Sequence, residues 1–585
     1  MKLGERIKST LLSTKKSVRR FPITIAVSVV LTILLIYLRE VSPDISIDLR
    51  EKLGRIAMVI GLGIPLTASI GLLSERFLKD KRSISLIGYI VGAVFLVLYY
   101  NFLLKDFSIV SGTRYLGTML IFILVFFYAL KLKHDINYES YVISVFSSGF
   151  ITALYSAVLY LGLSAIIFTI DNLFEANIDS RIYYNMFIIV VFIFGISLFL
   201  SKIPERDEDF IGYNYARTLK ILLIYIVIPL ITVYTIILYA YFVKILITWE
   251  WPKGLVSHLV LWYSVLSVGV IFLITPVLEE NKVAKLFKIW FPKFVLPILV
   301  MMFMSIWQRI DQYGFTENRY YVVILGLWVL GIMLYFSFKK PLKNIIIPFS
   351  LSLVILIAIY GPLSSYSIAM ASQNNRLNSL LEDNGMLSNG TITSNPNVDK
   401  DIQREVSNVI NYFVINHSLK DIKVLPDDFE FRDTKDLLGF EFTPYDNYNG
   451  NENYFNYFSN TFQQPINIEG YDYYMNVSSW NAQEIIIDNL TVKYDNKDNN
   501  LTIDENEINL LTQDINTFVE EIHSNLKDKP NNTKEINNIE EMTFDIENEN
   551  IRAKILFSNV NGRINDSNDV LNLESVEFLL LIDKK

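Results

Sequence analysis

The sequence predicts a polytopic α-helical membrane domain of about eleven spans followed by a C-terminal α+β soluble domain. Three observations predict it. Residues 21–360 sort into eleven apolar runs separated by short charged loops, and crossing about 30 Å of hydrocarbon takes a run of roughly 17–25 apolar residues. From Gly361 to Lys585 that pattern stops, and the chain becomes polar, acidic and rich in Asn and Asp. The charge divides at the same place: residues 1–360 carry 35 Lys+Arg against 22 Asp+Glu, and residues 361–585 carry 17 against 38. The overall net charge of −8 therefore hides a basic membrane part and an acidic soluble part. An acidic domain argues against nucleic acid as its partner, because binding phosphates needs clustered Lys and Arg. The absence of cysteine excludes disulfides, thiolate metal sites and Cys nucleophiles.

Residues 1–20 form a basic N-terminal segment, expected on the cytoplasmic side. The transmembrane domain, 21–360, contains the runs Phe21–Leu38, Ile56–Leu73, Ile84–Leu103, Tyr115–Leu130, Tyr141–Ile170, Ile182–Leu200, Ile221–Val243, Leu255–Val277, Phe294–Trp307, Tyr320–Phe338 and Ile345–Tyr360. Tyr141–Ile170 is too long for one upright helix and too short for two, so a tilted helix is expected. Phe294–Trp307 is short, and its helix is expected to begin near Ile289. With the N-terminus inside, the cytoplasmic segments hold 24 Lys+Arg and the external loops 11. That asymmetry, with eleven crossings, predicts an extracytoplasmic C-terminal domain. The first run is followed by Arg39-Glu40-Val41-Ser42-Pro43 and no small-x-small cleavage site, so it reads as an uncleaved span.

No Asp, Glu, Lys, Arg or His falls in the middle of a run, which disfavours a proton relay or a cation-coupled carrier. Pro65 and Pro229 would occupy equivalent helices of two inverted five-helix halves, but Pro297 and Pro348 fit no such repeat. Polar chemistry is concentrated in the external loops. The first holds Glu40, Asp44 and Asp48, carboxylates of the kind a membrane transferase uses as general base or metal ligand. The loop from Trp307 to Tyr320 places Arg309 and Arg319 at headgroup depth, with Tyr313 and Thr316 between them. Two guanidiniums there can grip a phosphate or carboxylate, or can pair with Asp311 and Glu317 and fix the loop.

The Tyr-Gly-x-Thr-x-x-Arg stretch at Tyr313–Arg319, Gly63–Leu66, Trp251–Gly254 and Tyr471–Tyr474 together resemble a bacterial multi-pass membrane family catalogued as domain of unknown function 4153. The resemblance implies a many-span envelope protein and brings no activity and no catalytic residue.

Residues 361–400 are expected as a helical stalk, Ser364 to Leu381, and a linker, and 401–585 as the extracytoplasmic α+β domain. A helix from Asp401 aligns Ile402, Val406, Val409, Ile410, Phe413 and Val414. A second helix is expected from Glu505 to Leu526, opened by a capping-box pattern at Asp504 and Glu507. Alternation at Leu490–Tyr494, Leu501–Ile503, Ile551–Phe557 and Val576–Ile582 predicts a mostly antiparallel sheet. Asp495–Asn506 fails as a calcium loop, with Lys497 third, no Gly sixth and Asn506 twelfth. His134, His258, His417 and His523 have no metal-ligand spacing, and no P-loop, Rossmann or Gly-x-Ser-x-Gly pattern occurs. The function expected is therefore a non-enzymatic envelope protein, a sensor, scaffold or solute or lipid carrier, without cofactor or metal. Its partners are the lipid bilayer and an anionic solute or lipid headgroup. The alternative is an envelope glycosyl- or phospholipid-group transferase using the first external loop.

Overall fold

The computed structural model describes residues 15–41, 46–77, 82–133, 136–174, 176, 178–206, 208, 210, 215–249, 255–388, 390–426, 428–430, 433–442, 454–459, 465–479, 484–496, 498–506, 508–526, 533–536, 539–565 and 570–585. Packing divides the chain into two compact units, Met1–Tyr445 and Asp446–Lys585. The polar stretch 361–445 groups with the apolar helices. The boundary of packing therefore falls some eighty residues beyond the edge of hydrophobicity, and within the soluble domain drawn from residue 401.

In the first unit, ten helices among the described residues are long and apolar enough to cross a membrane. They are α1 (Pro22–Val41), α2 (Ile47–Phe77), α3 (Arg82–Leu98, continued by a π-helical turn, Tyr99–Leu103), α4 (Ile109–Ala129), α5 (Tyr138–Phe174), α6 (Arg181–Ser201), α7 (Arg217–Thr248), α8 (Leu255–Ile274), α9 (Lys282–Tyr313) and α10 (Glu317–Phe338). The eleventh run forms α11 (Ile346–Ile359), whose 14 residues rise about 21 Å. The run Tyr141–Ile170 lies in one continuous helix, α5. The short ninth run belongs to a helix that already begins at Lys282, and this brings Lys288 into the helix as a buried side chain.

α9 carries a buried stripe of Phe291, Val295, Leu299, Met302 and Ile306, spaced by three and four residues, against Val329, Met333 and Phe336 of α10. In hydrocarbon such stripes associate through van der Waals packing and interhelical hydrogen bonds, since no water is expelled. The hydroxyls contribute directly: Thr67 of α2 donates to Thr24 of α1 at 3.0 Å, and Ser28 of α1 donates to the Phe192 carbonyl of α6. At one end of the bundle Arg20 grips Glu75 with two bonds of 2.8 and 2.9 Å and also donates to the Ile203 and Pro204 carbonyls.

After a break at Gly361, α12 (Ser365–Asp383) starts behind its N-cap Ser364, whose hydroxyl accepts the Ser367 amide. A two-residue hairpin, β1 (Leu387–Ser388) with β2 (Thr391–Ile392), leads to α13 (Lys400–Asn416). Leu377 and Leu381 of α12 meet Val406, Val409, Ile410 and Phe413 of α13 in a separate small core.

The second unit is built on β3 (Tyr454–Phe458), β4 (Tyr473–Ser478), β5 (Ile485–Ile487), β6 (Leu490–Asp495), β7 (Asn500–Glu505), β8 (Ile508–Asp514), α14 (Ile515–Leu526), β9 (Thr533–Glu535), β10 (Thr543–Glu547), β11 (Ile551–Asn565) and β12 (Val570–Lys584). One sheet runs β4-β12-β11-β3-β9 with β10 paired to β11, and a second runs β5-β6-β7-β8. All pairs are antiparallel except β3 with β9. Ile551, Ala553, Ile555 and Phe557 face the core with Phe578, Leu580 and Ile582, as alternation predicts.

The helix expected from Glu505 is corrected: its first half is the strand β8, and only α14 is helical. Asn506 takes a left-handed conformation, φ +47°, and its amide bonds the Asn489 carbonyl. The chain therefore reverses there, and Leu511 pairs with Ile503. The capping role assigned to Asp504 falls to Asp514, whose carboxylate accepts the Asn516 amide at 2.9 Å. Asp495 and Asn500 are the last pair of the β6–β7 hairpin, with Asn499 at φ +54°. Lys497 and Glu507 lie outside the described residues.

Candidate functional site

The turn from α9 to α10 is where the sequence-selected residues meet. Gly314 adopts φ +69°, a conformation costly for any residue with a Cβ. A Cβ there would also stand 3.0 Å from both Ser372 Oγ and Gln373 Nε2 of α12. Those side chains clamp the turn: the Phe315 amide donates to Ser372 Oγ at 2.8 Å, and Gln373 Nε2 donates to the Tyr313 and Phe315 carbonyls at 2.9 and 2.8 Å. α12 is thereby fastened to the membrane hairpin through backbone carbonyls left over at the end of α9.

Around this turn three guanidiniums converge. Arg319 donates through Nη1 to the Gly314 carbonyl at 2.7 Å and the Tyr313 carbonyl at 3.2 Å, and its guanidinium lies over the Tyr313 ring at 5.5 Å. Arg376 of α12 lies over the same ring at 5.6 Å. Both Arg309 and Arg376 are close enough to act on the charge of Arg319. The acid in contact is Glu405 of α13, 3.1 Å from Arg376 Nη2. Among the described residues Arg309 has no ion pair, and Arg319 keeps its Nε and Nη2 hydrogens unbonded. Thr316 is the N-cap of α10 but makes no side-chain capping bond.

Glu317, the carboxylate that could have neutralised these arginines, is turned the other way. Its Oε1 accepts His417 Nε2 at 2.7 Å and the Tyr412 hydroxyl at 2.8 Å, and His417 is only 3% exposed. Both protons point at one oxygen, so the 3.0 Å Tyr412–His417 separation is the third side of a triangle and carries no bond. Burial and the Glu317 charge hold the Tyr412 phenol above its ordinary range. Tyr366 packs edge-on to His417, with Arg114 of α4 over its face at 5.3 Å. Asp311 is exposed.

Glu40 and Asp48, the first-loop carboxylates that are described, take separate partners. Glu40 accepts Arg181 Nη1 at 3.3 Å and Asn185 Nδ2 at 2.8 Å, across to α6. Asp48 is exposed and pairs with Lys52 one turn along α2 at 2.6 Å. Asp44 lies outside the described residues, as does the Trp251–Gly254 stretch. Among the described residues no group of three His, Cys, Asp or Glu side chains is placed to hold a metal.

Sequence reasoning missed Arg376, Gln373, Glu405, Tyr412 and His417. Each belongs to α12 or α13 or, for His417, caps the end of α13, and nothing in their spacing says that these helices dock on the α9–α10 turn. Amphipathicity marks the buried face of α13 but not its neighbour.

No solved structure matches this chain. An uncharacterised protein of Pasteurella multocida (strain Pm70) is 28% identical over 224 residues, which cover 37% of this chain and 38% of that protein. The chain thus spans well under two thirds of that relative. The family model described as Domain of unknown function (DUF4153) matches residues 25–400, from the first membrane helix to the start of α13. That match covers all the apolar helices and the whole α9–α10 turn with its clamp from α12, and by it the chain belongs to the DUF4153 family of multi-pass membrane proteins.

Proposed function

We propose that this protein is a non-enzymatic cell-envelope membrane protein that binds an anionic solute or lipid headgroup at Arg309, Arg319 and Arg376. The observation that carries the reading is the charge balance at the α9–α10 turn: Arg319 and Arg376 both lie over the Tyr313 ring with Arg309 close enough to act on Arg319, while Glu317 is taken by His417 and Tyr412. Like charges held together at a bundle end repel one another, and a bidentate anion relieves the repulsion while filling the unbonded donors. Among sensor, scaffold and carrier, the sensor is favoured. The arginines come from α9, α10 and α12, and the counter-charge from α13, so an anion bound among them adds to the clamp that fastens the α12–α13 pair to the membrane hairpin.

The protein sits in the plasma membrane with Met1 cytoplasmic and the sheet unit extracytoplasmic. This follows the excess of Lys and Arg in alternate loops, with the α11 helix counted as a crossing. The transferase alternative is less favoured, because Glu40 and Asp48 are engaged by separate cationic partners.

The test is titration of the purified full chain with inorganic phosphate and with phosphatidylglycerol micelles, followed by calorimetry. Binding that falls at least tenfold in Arg309→Gln/Arg319→Gln, with unfolding temperature unchanged, supports the site. Equal binding by wild type and variant refutes it. A phosphatase fused at Lys585 that is inactive in intact cells refutes the orientation.

A further inference from the structure

A second cluster of arginines, separate from the α9–α10 turn, lies where α1 ends and α2 begins. An open-sided groove of about 650 Å³ runs between these helices, α6 and the loop before α4, a size that suits a headgroup and the upper part of its chains. Leu35, Leu38, Ile47 and Phe107 form its apolar lining, and Arg39, Arg50 and Glu51 its polar part. Space for Phe107 exists because residue 54 is glycine: a Cβ there would stand 3.2 Å from the ring.

Three described acids beside the groove are already committed. Glu40 and Asp179 both bind Arg181, and Asp48 binds Lys52. Asp179 is held below the usual carboxylate range first by the Arg181 backbone amide and then by its guanidinium, with Arg39 acting only from further away. Arg39 lies over the Tyr184 ring at 5.9 Å. Among the described residues neither Arg39 nor Arg50 has a side-chain hydrogen bond or ion pair, and neither has Glu51. The groove therefore offers two cations and one anion above an apolar wall, at the end of membrane helices.

We propose that this groove binds a phospholipid whose headgroup carries a primary amine, an aminophospholipid of the phosphatidylethanolamine type. The phosphodiester sits against Arg39 and Arg50, where guanidiniums provide paired donors. The ammonium donates to Glu51. The acyl chains descend past Leu35, Leu38 and Phe107 into the hydrocarbon. Glu51 decides the class: among the described residues it pairs with neither arginine, so a phosphodiester alone leaves it without a donor, and a quaternary amine cannot donate a hydrogen bond to it.

The experiment uses the full chain in detergent micelles, with native mass spectrometry and phosphatidylethanolamine, phosphatidylglycerol and phosphatidylcholine of equal chain length. The expected order places phosphatidylethanolamine severalfold tighter than the other two. Arg39→Gln/Arg50→Gln lowers its affinity about tenfold or more. Glu51→Gln abolishes the preference over phosphatidylglycerol while binding persists. Gly54→Leu, which fills the groove without touching a charge, weakens all three lipids. Phosphoethanolamine without chains competes only weakly; if it competes as well as the intact lipid, the occupant is a soluble headgroup and the lipid proposal falls. The proposal is overturned as well if the arginine double variant binds phosphatidylethanolamine like wild type, or if wild type prefers phosphatidylglycerol.

Discussion

Replacing Tyr412 by Phe removes one hydroxyl from the Glu317 triangle and nothing else of comparable size. Glu317 Oε1 then keeps only His417 at 2.7 Å, inside a site where the His417 side chain is 3% and the Glu317 side chain 13% exposed. A hydrogen bond to a charged acceptor contributes about 1.5–3 kcal/mol, and a carboxylate this enclosed cannot recover it from bulk water. His417→Ala takes the second donor and also the ring packed on Tyr366 and Phe413, and is expected to cost about 3–5 kcal/mol. Because the triangle ties the first turn of α10 to the end of α13, the loss is read locally. Amide hydrogen exchange over residues 400–416 should accelerate about 10- to 150-fold in Tyr412→Phe, at about tenfold per 1.4 kcal/mol, with α9 and α10 unaffected. In a Glu317→Gln background the same change should cost much less, since both substitutions act through one oxygen. Exchange in α13 that stays at the wild-type rate in Tyr412→Phe, or additive effects in the double variant, would refute the reasoning.

In the second unit, Gly562→Ala places a Cβ 2.3 Å from the Asn572 carbonyl on the neighbouring strand, at a register shift between β11 and β12. Backbone cannot swing aside, so a loss of about 1–3 kcal/mol or more should show as faster exchange along both strands, and unchanged exchange would sink the clash argument. Tyr457, 2% exposed and hydrogen-bonded to His523 Nδ1 at 2.7 Å, has its phenol pushed up by burial to about 12. Its neutral form is the folded one, so its contribution is whole below the ordinary tyrosine pKa of about 10 and is lost as pH rises from there to about 12. Alkaline unfolding of the sheet unit, followed by tyrosinate absorbance, should begin in that window and be blunted in Tyr457→Phe; identical alkaline curves for the two proteins would count against it.

The sequence by itself determined the class of this protein, because the two patterns that decide it are local and strong. Apolar runs longer than a bilayer is thick have only one helical solution in lipid, and all but α11 formed helices of spanning length. Period-two alternation placed β6, β7, β11 and β12 for the same reason: one face of each is buried, and a slip of one residue would expose it. Local pattern failed at Ile508–Asp514, where the three- and four-residue spacing of Ile508, Leu511 and Ile515 reads as a helix, whereas in the strand Ile508 is exposed and Leu511 buried. Pairing with β7, made possible by the left-handed turn at Asn506, chose the strand. The candidate site divides in the same way. Arg309, Tyr313 and Arg319 were legible because they crowd one short loop between two apolar runs. Arg376, Glu405, Tyr412 and His417 were not, since they reach that loop only when α12 and α13 fold back onto it, between 57 and 100 residues away in the case of Ser372 and His417. Whether Glu317 pairs with the arginines or turns to His417 is a choice between competing partners, and only the tertiary structure, by burying His417 beside it, decided for His417 and left Arg309 and Arg319 without an ion pair among the described residues.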